Sequence, residues 1–176
     1  MSLCLWLNGC RLWKGMVIKV AKKKDKLKIC FAASSGGHYE QLMMLTPLMK
    51  KYDSFVLTEE TKYDAKTDIK TFYVKQVNRK EKKCFFYLLY NSIISLKIYF
   101  REKPDAIICT GVLAVLPMCL IMKLFRKKLI YIESFAKVTS PTQTGKLLYK
   151  YADKFYVQWE SMKEVYPDAI YLGGIY

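Results

Sequence analysis

The chain has 176 residues, which suits one domain, and 52% of them are hydrophobic, which excludes a wholly disordered chain and supplies a real core. Its 30 Lys and Arg against 15 Asp and Glu leave a net charge of +15, favouring an anionic partner: a membrane surface, nucleic acid or a phosphorylated substrate. The cysteines (Cys4, Cys10, Cys30, Cys84, Cys109, Cys119) form no CxxC pair and mostly sit in apolar runs; they read as reduced, buried thiols with no metal and no cofactor to hold.

Residues 1–26 differ from the rest. Leu3–Leu7 is too short for a signal-peptide core and no A-x-A-like cleavage site follows, so a secretion signal is not expected. Trp6, Leu7, Leu12 and Trp13 with Arg11, Lys14, Lys19 and Lys22 suit a basic, aromatic arm on an anionic bilayer. The alternative is a natural start at Met16, with the first fifteen residues a start-site artefact or a disordered tail. The domain proper is expected over 27–176.

The apolar run Ile29–Ala33 reads as a strand and leads into Ser34, Ser35, Gly36, Gly37 and His38, then a helix carrying Leu42, Leu45 and Met49. Small residues let a ligand approach the backbone and leave amides free, so the loop suits a phosphate or pyrophosphate. It would also suit a plain strand-to-helix connection. His38, the only histidine, falls at the carboxyl edge of the strand, where open α/β sheets hold ligands. A neutral imidazole there acts as a base or donates one hydrogen bond, unless the residue merely caps or packs.

Ser54–Thr58 and Thr71–Val74 read as further strands, and residues 79–103 as one long helix. Between Cys84 and Leu96 that helix has no charge and is apolar nearly all round. This part would span about 20 Å, short of the roughly 30 Å hydrocarbon core. It is therefore expected to lie in a membrane interface through Phe85, Phe86 and Leu89, with Lys82, Lys83 and Arg101 at lipid headgroups; a deeply buried core helix is the alternative.

Pro104–Thr110 is the next strand, ended by Thr110 and Gly111, and Leu113–Phe125 follows as a helix with Pro117 near its start. A buried βα unit is expected there in preference to a spanning helix. Lys128–Ile132 is a strand with Glu133 and Ser134 at its end; the acid would bind a ligand hydroxyl or pair with Lys137. Thr144 is expected to cap a helix Lys146–Tyr151. Lys154–Gln158, a helix Trp159–Tyr166 and a strand Ala169–Leu172 complete the pattern. Alternating strands and helices predict an α/β fold with a Rossmann-like, doubly wound parallel sheet, and the serine–glycine loop, Thr110–Gly111 and Glu133–Ser134 would share its ligand edge.

SSGGH after the first strand, PDAIICTG before a leucine-rich helix, IESFAKVTSPTQTGKLLYKYADKFYVQWE over 132–160 and YPDAIYLGG near the end together carry a resemblance. They are similar to bacterial exopolysaccharide and capsule glycosyltransferase accessory subunits. Those are related to the membrane-anchoring subunit of the eukaryotic dolichol-linked chitobiose synthase, and correspond to the amino-terminal half of the lipid I N-acetylglucosaminyltransferase. The resemblance implies the amino-terminal half of a GT-B enzyme split over two chains, peripheral on the cytoplasmic face of the membrane. It would hold a polyprenyl-pyrophosphate-linked acceptor while a separate partner binds the UDP-sugar. Ser34, Ser35, Gly36 and Gly37 would cradle the pyrophosphate, His38 would stand near the acceptor hydroxyl, and Thr110, Gly111, Glu133 and Ser134 would line the cleft. Leu113 stands where relatives tend to carry glycine, so the resemblance does not extend to a close backbone approach there.

Two rivals follow from the residues. A nicotinamide-dependent oxidoreductase would use Glu59 or Glu60 as its ribose-binding acid, but the three-glycine spacing it needs is missing. A nucleic-acid-binding module would use the charge and the 15% aromatic content, but no recognition motif appears and no nucleic acid is expected.

Overall fold

In the computed structural model, residues 26–61, 68–111 and 113–176 are described. The amino-terminal arm falls outside them except for Lys26. The elements run β1 (Lys28–Ala33), α1 (Gly37–Met43), α2 (Thr46–Lys51), β2 (Asp53–Glu59), β3 (Thr71–Val74), α3 (Cys84–Glu102), β4 (Ala106–Gly111), α4 (Leu116–Leu124), β5 (Lys128–Ile132), α5 (Gln143–Tyr149), β6 (Lys154–Val157) and β7 (Ile170–Tyr171). Short 3-10 turns occupy Leu113–Val115 and Glu160–Lys163.

Among the described residues the strands form one parallel, seven-stranded sheet in the order β3-β2-β1-β4-β5-β6-β7. Successive side chains of a strand face opposite ways, so Ile29, Phe31 and Ala33 pack with Leu42, Leu48 and Met49 of α1 and α2. Cys30 and Ala32 pack on the other side, in the core that includes Ile98, Met118, Met122 and Leu148 of α3, α4 and α5. Apolar strands covered on both faces are what a doubly wound parallel sheet requires. The order reverses between β1 and β4, and the crevice of such a sheet opens where neighbouring connections leave in opposite directions.

Several elements differ from their sequence-based expectation. The first helix breaks in two because Pro47, in the first turn of α2, brings no amide with which to continue the first ladder. The long helix begins at Cys84, not at residue 79. Asn78 accepts from the Lys80 amide through its side chain and from Glu81 through its carbonyl, turning that basic stretch into loop that holds Lys82 and Lys83. Lys103, left-handed at φ 48°, closes α3 ahead of Pro104. Thr142, not Thr144, caps α5, accepting from the Gly145 amide at 2.8 Å. The helix expected over Trp159–Tyr166 is only the single 3-10 turn.

Helix α3 buries Ile98 and Tyr99 in the core alongside polar residues, and leaves a long apolar stripe outside. Its buried residues include Asn91, Ser95 and Glu102, while Phe85 is 71%, Phe86 69% and Leu89 52% exposed, and Ile93 and Phe100 continue the stripe. A core helix would bury such a stripe. Phe100 also meets Phe125, just past the end of α4, where Leu124 is exposed as well. No helix among the described residues is long and apolar enough to cross a membrane.

The carboxyl end of α3 is anchored by ion pairs: Glu102 meets Lys70 at 2.6 Å, Lys28 at 3.2 Å and Arg101 at 3.4 Å. Burial by itself would raise the Glu102 carboxyl, but the hydrogen bonds from Lys70 and Lys28 hold it below the ordinary carboxylate range. A depressed carboxyl stabilises the fold above its unfolded-state value and loses that contribution as pH falls through its folded value. Glu102→Gln is therefore expected to cost about 1 kcal/mol at neutral pH. In urea unfolding series, the gap to wild type should close as the pH is taken below the usual carboxylate range.

Candidate functional site

The strand ends that flank the order reversal are β1 and β4, and they carry Ser34–His38 and Thr110–Gly111. A small group of hydrogen bonds joins them. The Ser34 amide donates to the Gly111 carbonyl at 2.9 Å, the Thr110 hydroxyl donates to the His38 carbonyl at 2.9 Å, and His38 Nδ1 lies 2.8 Å from the Thr110 carbonyl. A carbonyl only accepts, so Nδ1 carries a proton and, in the neutral ring, Nε2 holds the lone pair. The imidazole is half-buried and rests on Gly111, where an added Cβ would stand 3.2 Å from Nδ1 at a backbone φ of +116°. Gly111 is thus required twice, by conformation and by contact.

The loop itself is open. Gly36 (φ +74°) and Gly37 are exposed, and a Cβ on either would meet nothing within 4 Å. Among the described residues, the amides of Gly36, Gly37 and His38 donate to no protein acceptor. Helix α1 is only 7 residues long. Whatever attraction the loop has for an anion therefore comes chiefly from these amides. Ser34 is buried, whereas the amide and hydroxyl of Ser35 are already taken by the Glu59 carboxylate at 3.2 and 2.9 Å.

On the far side of the crevice Glu133 is fully buried, and among the described residues its carboxylate does not meet Lys137. Its oxygens accept from the Ser134 amide (2.9 Å), the Thr142 amide (3.2 Å), the Thr142 hydroxyl (2.9 Å) and the Tyr166 hydroxyl (3.0 Å). The Thr142 proton is spent on Glu133, so Tyr131 is the donor in its 3.2 Å contact with Thr142. Burial, reinforced by the charge of Glu133, pushes both the Tyr131 and Tyr166 hydroxyls well above their usual range, keeping them protonated donors. The Glu133 carbonyl accepts from Gln41 (3.2 Å) and Gln158 (2.8 Å), so α1 and the end of β6 grip the same residue. Glu133 thus organises the loop from Ser134 to Thr142.

The expected site residues do come together along one edge, with Ser34–His38 and Thr110–Gly111 in mutual contact and Glu133–Ser134 tied to α1 through Gln41. Sequence reasoning missed Gln41, Thr142, Gly145 and Tyr166. Only Gly145 left a signal, a glycine in TQTG directly before a helical pattern, which marks a backbone with no room for a side chain. Among the described residues no group of His, Cys, Asp and Glu is arranged to hold a metal ion. The ribose-acid role required by a nicotinamide cofactor is not open to Glu59 as placed, since its carboxylate is engaged by Ser35.

Residues 49–175 match the family described as "Oligosaccharide biosynthesis protein Alg14 like". The chain belongs to the Alg14 family. It is 26% identical to the UDP-N-acetylglucosamine transferase subunit ALG14 of Rattus norvegicus, covering 94% of this chain and 90% of that one. With the subunit of the same name from Yarrowia lipolytica it shares 29% identity, over 86% of this chain and 82% of the other. These relatives are eukaryotic, so of the two groups in the sequence resemblance it is the eukaryotic subunit that finds support, not the bacterial capsule and exopolysaccharide setting. Among solved structures, the fold resembles Acinetobacter baumannii MurG (TM-score 0.63, 16% identity, 77% of this chain and 42% of that one). It also resembles a UDP-N-acetylglucosamine 2-epimerase from Rickettsia bellii (TM-score 0.64, 12% identity, 85% and 45%). The Alg14-family chain spans less than half of each, and the likeness establishes its Rossmann-like, GT-B-type half.

The packing around Glu133 predicts an asymmetry between two glycines. A Cβ on Gly145 would stand 2.2 Å from Glu133 Oε2, 2.7 Å from the Tyr166 hydroxyl and 2.8 Å from Thr142 Oγ1. Gly145→Ala is expected to lose about 2–4 kcal/mol in denaturant unfolding, whereas Gly37→Ala, in open space, should stay within about 0.5 kcal/mol of wild type.

Proposed function

We propose that this chain is the acceptor-binding, membrane-associated subunit of a two-chain glycosyltransferase, which passes N-acetylglucosamine from its UDP-sugar to a polyprenyl-pyrophosphate-linked acceptor. The observation that carries the reading is the crevice between β1 and β4, where the unpartnered amides of Gly36, Gly37 and His38 adjoin an imidazole fixed through Nδ1. The amides receive the acceptor diphosphate. Nε2 of His38 takes the proton of the acceptor hydroxyl as its oxygen attacks the anomeric carbon and UDP departs. Thr110 and Gly111 hold the imidazole. Ser34, Ser35, Glu133 and Ser134 shape the walls without spending their buried polar groups on the ligand. The donor and its binding half come from a separate chain, a reading supported by the relatives' description as transferase subunits.

With the partner chain and lipid-linked acceptor present, His38→Ala is expected to reduce turnover by roughly 10²- to 10⁴-fold while the two chains still co-purify. Undiminished turnover would return His38 to a packing role, and transfer by this chain alone would overturn the two-chain reading.

The outward stripe of α3 is the membrane contact, on the cytoplasmic face. Phe85, Phe86 and Leu89 enter the interface, and Lys82, Lys83 and Arg101 meet anionic headgroups. A contiguous apolar surface with basic ends suits a lipid surface better than water. Replacing Phe85, Phe86 and Leu89 together by Ser should abolish pelleting with phosphatidylserine-containing vesicles at little cost in fold stability. Glu at Lys82 and Lys83 should weaken binding by about 1 kcal/mol per basic residue lost, an effect that shrinks in high salt.

A further inference from the structure

Glu59 stands at the carboxyl end of β2 and is 6% exposed. One oxygen accepts both donors of Ser35, and the other makes a long, 3.5 Å contact with the Val77 amide. No cation among the described residues pairs with it. A buried carboxylate held only by neutral donors is expensive. Its position is what distinguishes it. It captures both donors of Ser35 and leaves the next three amides, of Gly36, Gly37 and His38, for a ligand.

Glu59 is also the near end of a continuous connection. It sits opposite Val74 in the β2–β3 ladder. The next residue, Lys75, is clamped on both backbone groups by Asn91 of α3, at 2.9 Å to the amide and 2.8 Å from the carbonyl. Asn91 is fully buried and also donates to the Ala114 carbonyl at 3.3 Å. Thus the helix with the apolar outer face and the loop at the crevice are joined through one side chain at each end.

We propose that Glu59 is a positioning residue for the diphosphate site. Its carboxylate shapes the glycine loop by occupying Ser35, and through β3 and Asn91 it sets that loop at a fixed place relative to the lipid-facing helix. The proposal rests on the reading that the loop receives the acceptor diphosphate. It separates two properties of Glu59, its shape as an acceptor and its charge. Gln keeps a carbonyl for Ser35 but removes a negative charge close to where the diphosphate binds. Ala removes both.

The test uses the full chain, 15N-labelled, in phosphatidylcholine bicelles, titrated with inorganic pyrophosphate and followed at the Gly36 and Gly37 amides. Glu59→Gln should bind pyrophosphate about threefold more tightly than wild type, the size of one like charge removed at the edge of a solvated site. Glu59→Ala should bind it at least about tenfold more weakly through lost preorganisation. Ser35→Ala, which gives up the hydroxyl bond and keeps the amide bond, should fall between wild type and Glu59→Ala and guards against a simple folding defect in the latter. Identical pyrophosphate affinity in wild type, Glu59→Gln and Glu59→Ala would overturn the positioning role while leaving the diphosphate site standing. A wild-type chain whose loop amides do not respond to pyrophosphate would overturn the site itself, and the role of Glu59 with it.

Discussion

Where β1 and β4 end side by side, the chain departs in opposite directions, and hydrogen bonds between Ser34–His38 and Thr110–Gly111 close the seam. Every other feature of the candidate site takes its position from that seam. It holds the imidazole of His38 in one tautomer, makes a side chain at position 111 impossible, and fixes the start of α1, whose Gln41 then reaches across to Glu133 and Phe135. A parallel sheet places such a seam only where its order reverses, because elsewhere the connections leave on the same side and cover the strand ends.

The two buried acids at this edge serve the protein's own backbone. Glu133 gathers amides and hydroxyls from three later segments, and Glu59 gathers the donors of Ser35. Each replaces water for polar groups that loops at a sheet edge would otherwise leave unsatisfied. The consequence is a rigid frame around a short stretch of free amides, and rigidity favours binding because less freedom remains to be lost. Helix α3 shows the same division of labour on a larger scale. Its polar residues Asn91, Ser95 and Glu102 turn inward beside Ile98 and Tyr99, with Asn91 and Glu102 tying the strand ends, and the apolar stripe of Phe85, Phe86, Leu89 and Ile93 is left for an environment outside the domain.

Much of this was legible in the amino-acid order. Short apolar strands alternating with helical stretches identified the parallel sheet, and the small residues after Ala33 located the open loop. The uncharged run from Cys84 to Leu96 identified a helix too apolar for one domain face. Helix boundaries were less legible because they turn on single local bonds. Asn78 unwinds the basic stretch before Cys84, and Thr142 takes the cap that Thr144 seemed equally fit to supply. Gln41, Thr142 and Tyr166 could not have been found by pattern, since each matters only for its distance to Glu133, from which it is far in sequence or separated by a loop.

By itself the sequence determined the fold class, the place of the glycine loop, and the presence of a surface unsuited to water, because these depend on hydrophobic period and on residue size, which are local properties. Tertiary structure alone decided which donors the loop keeps free, which acids are spent internally, and which face of α3 looks outward. Those outcomes are set by contacts between residues distant along the chain, and one carboxylate reads the same in a sequence whether it meets a ligand or a neighbouring amide.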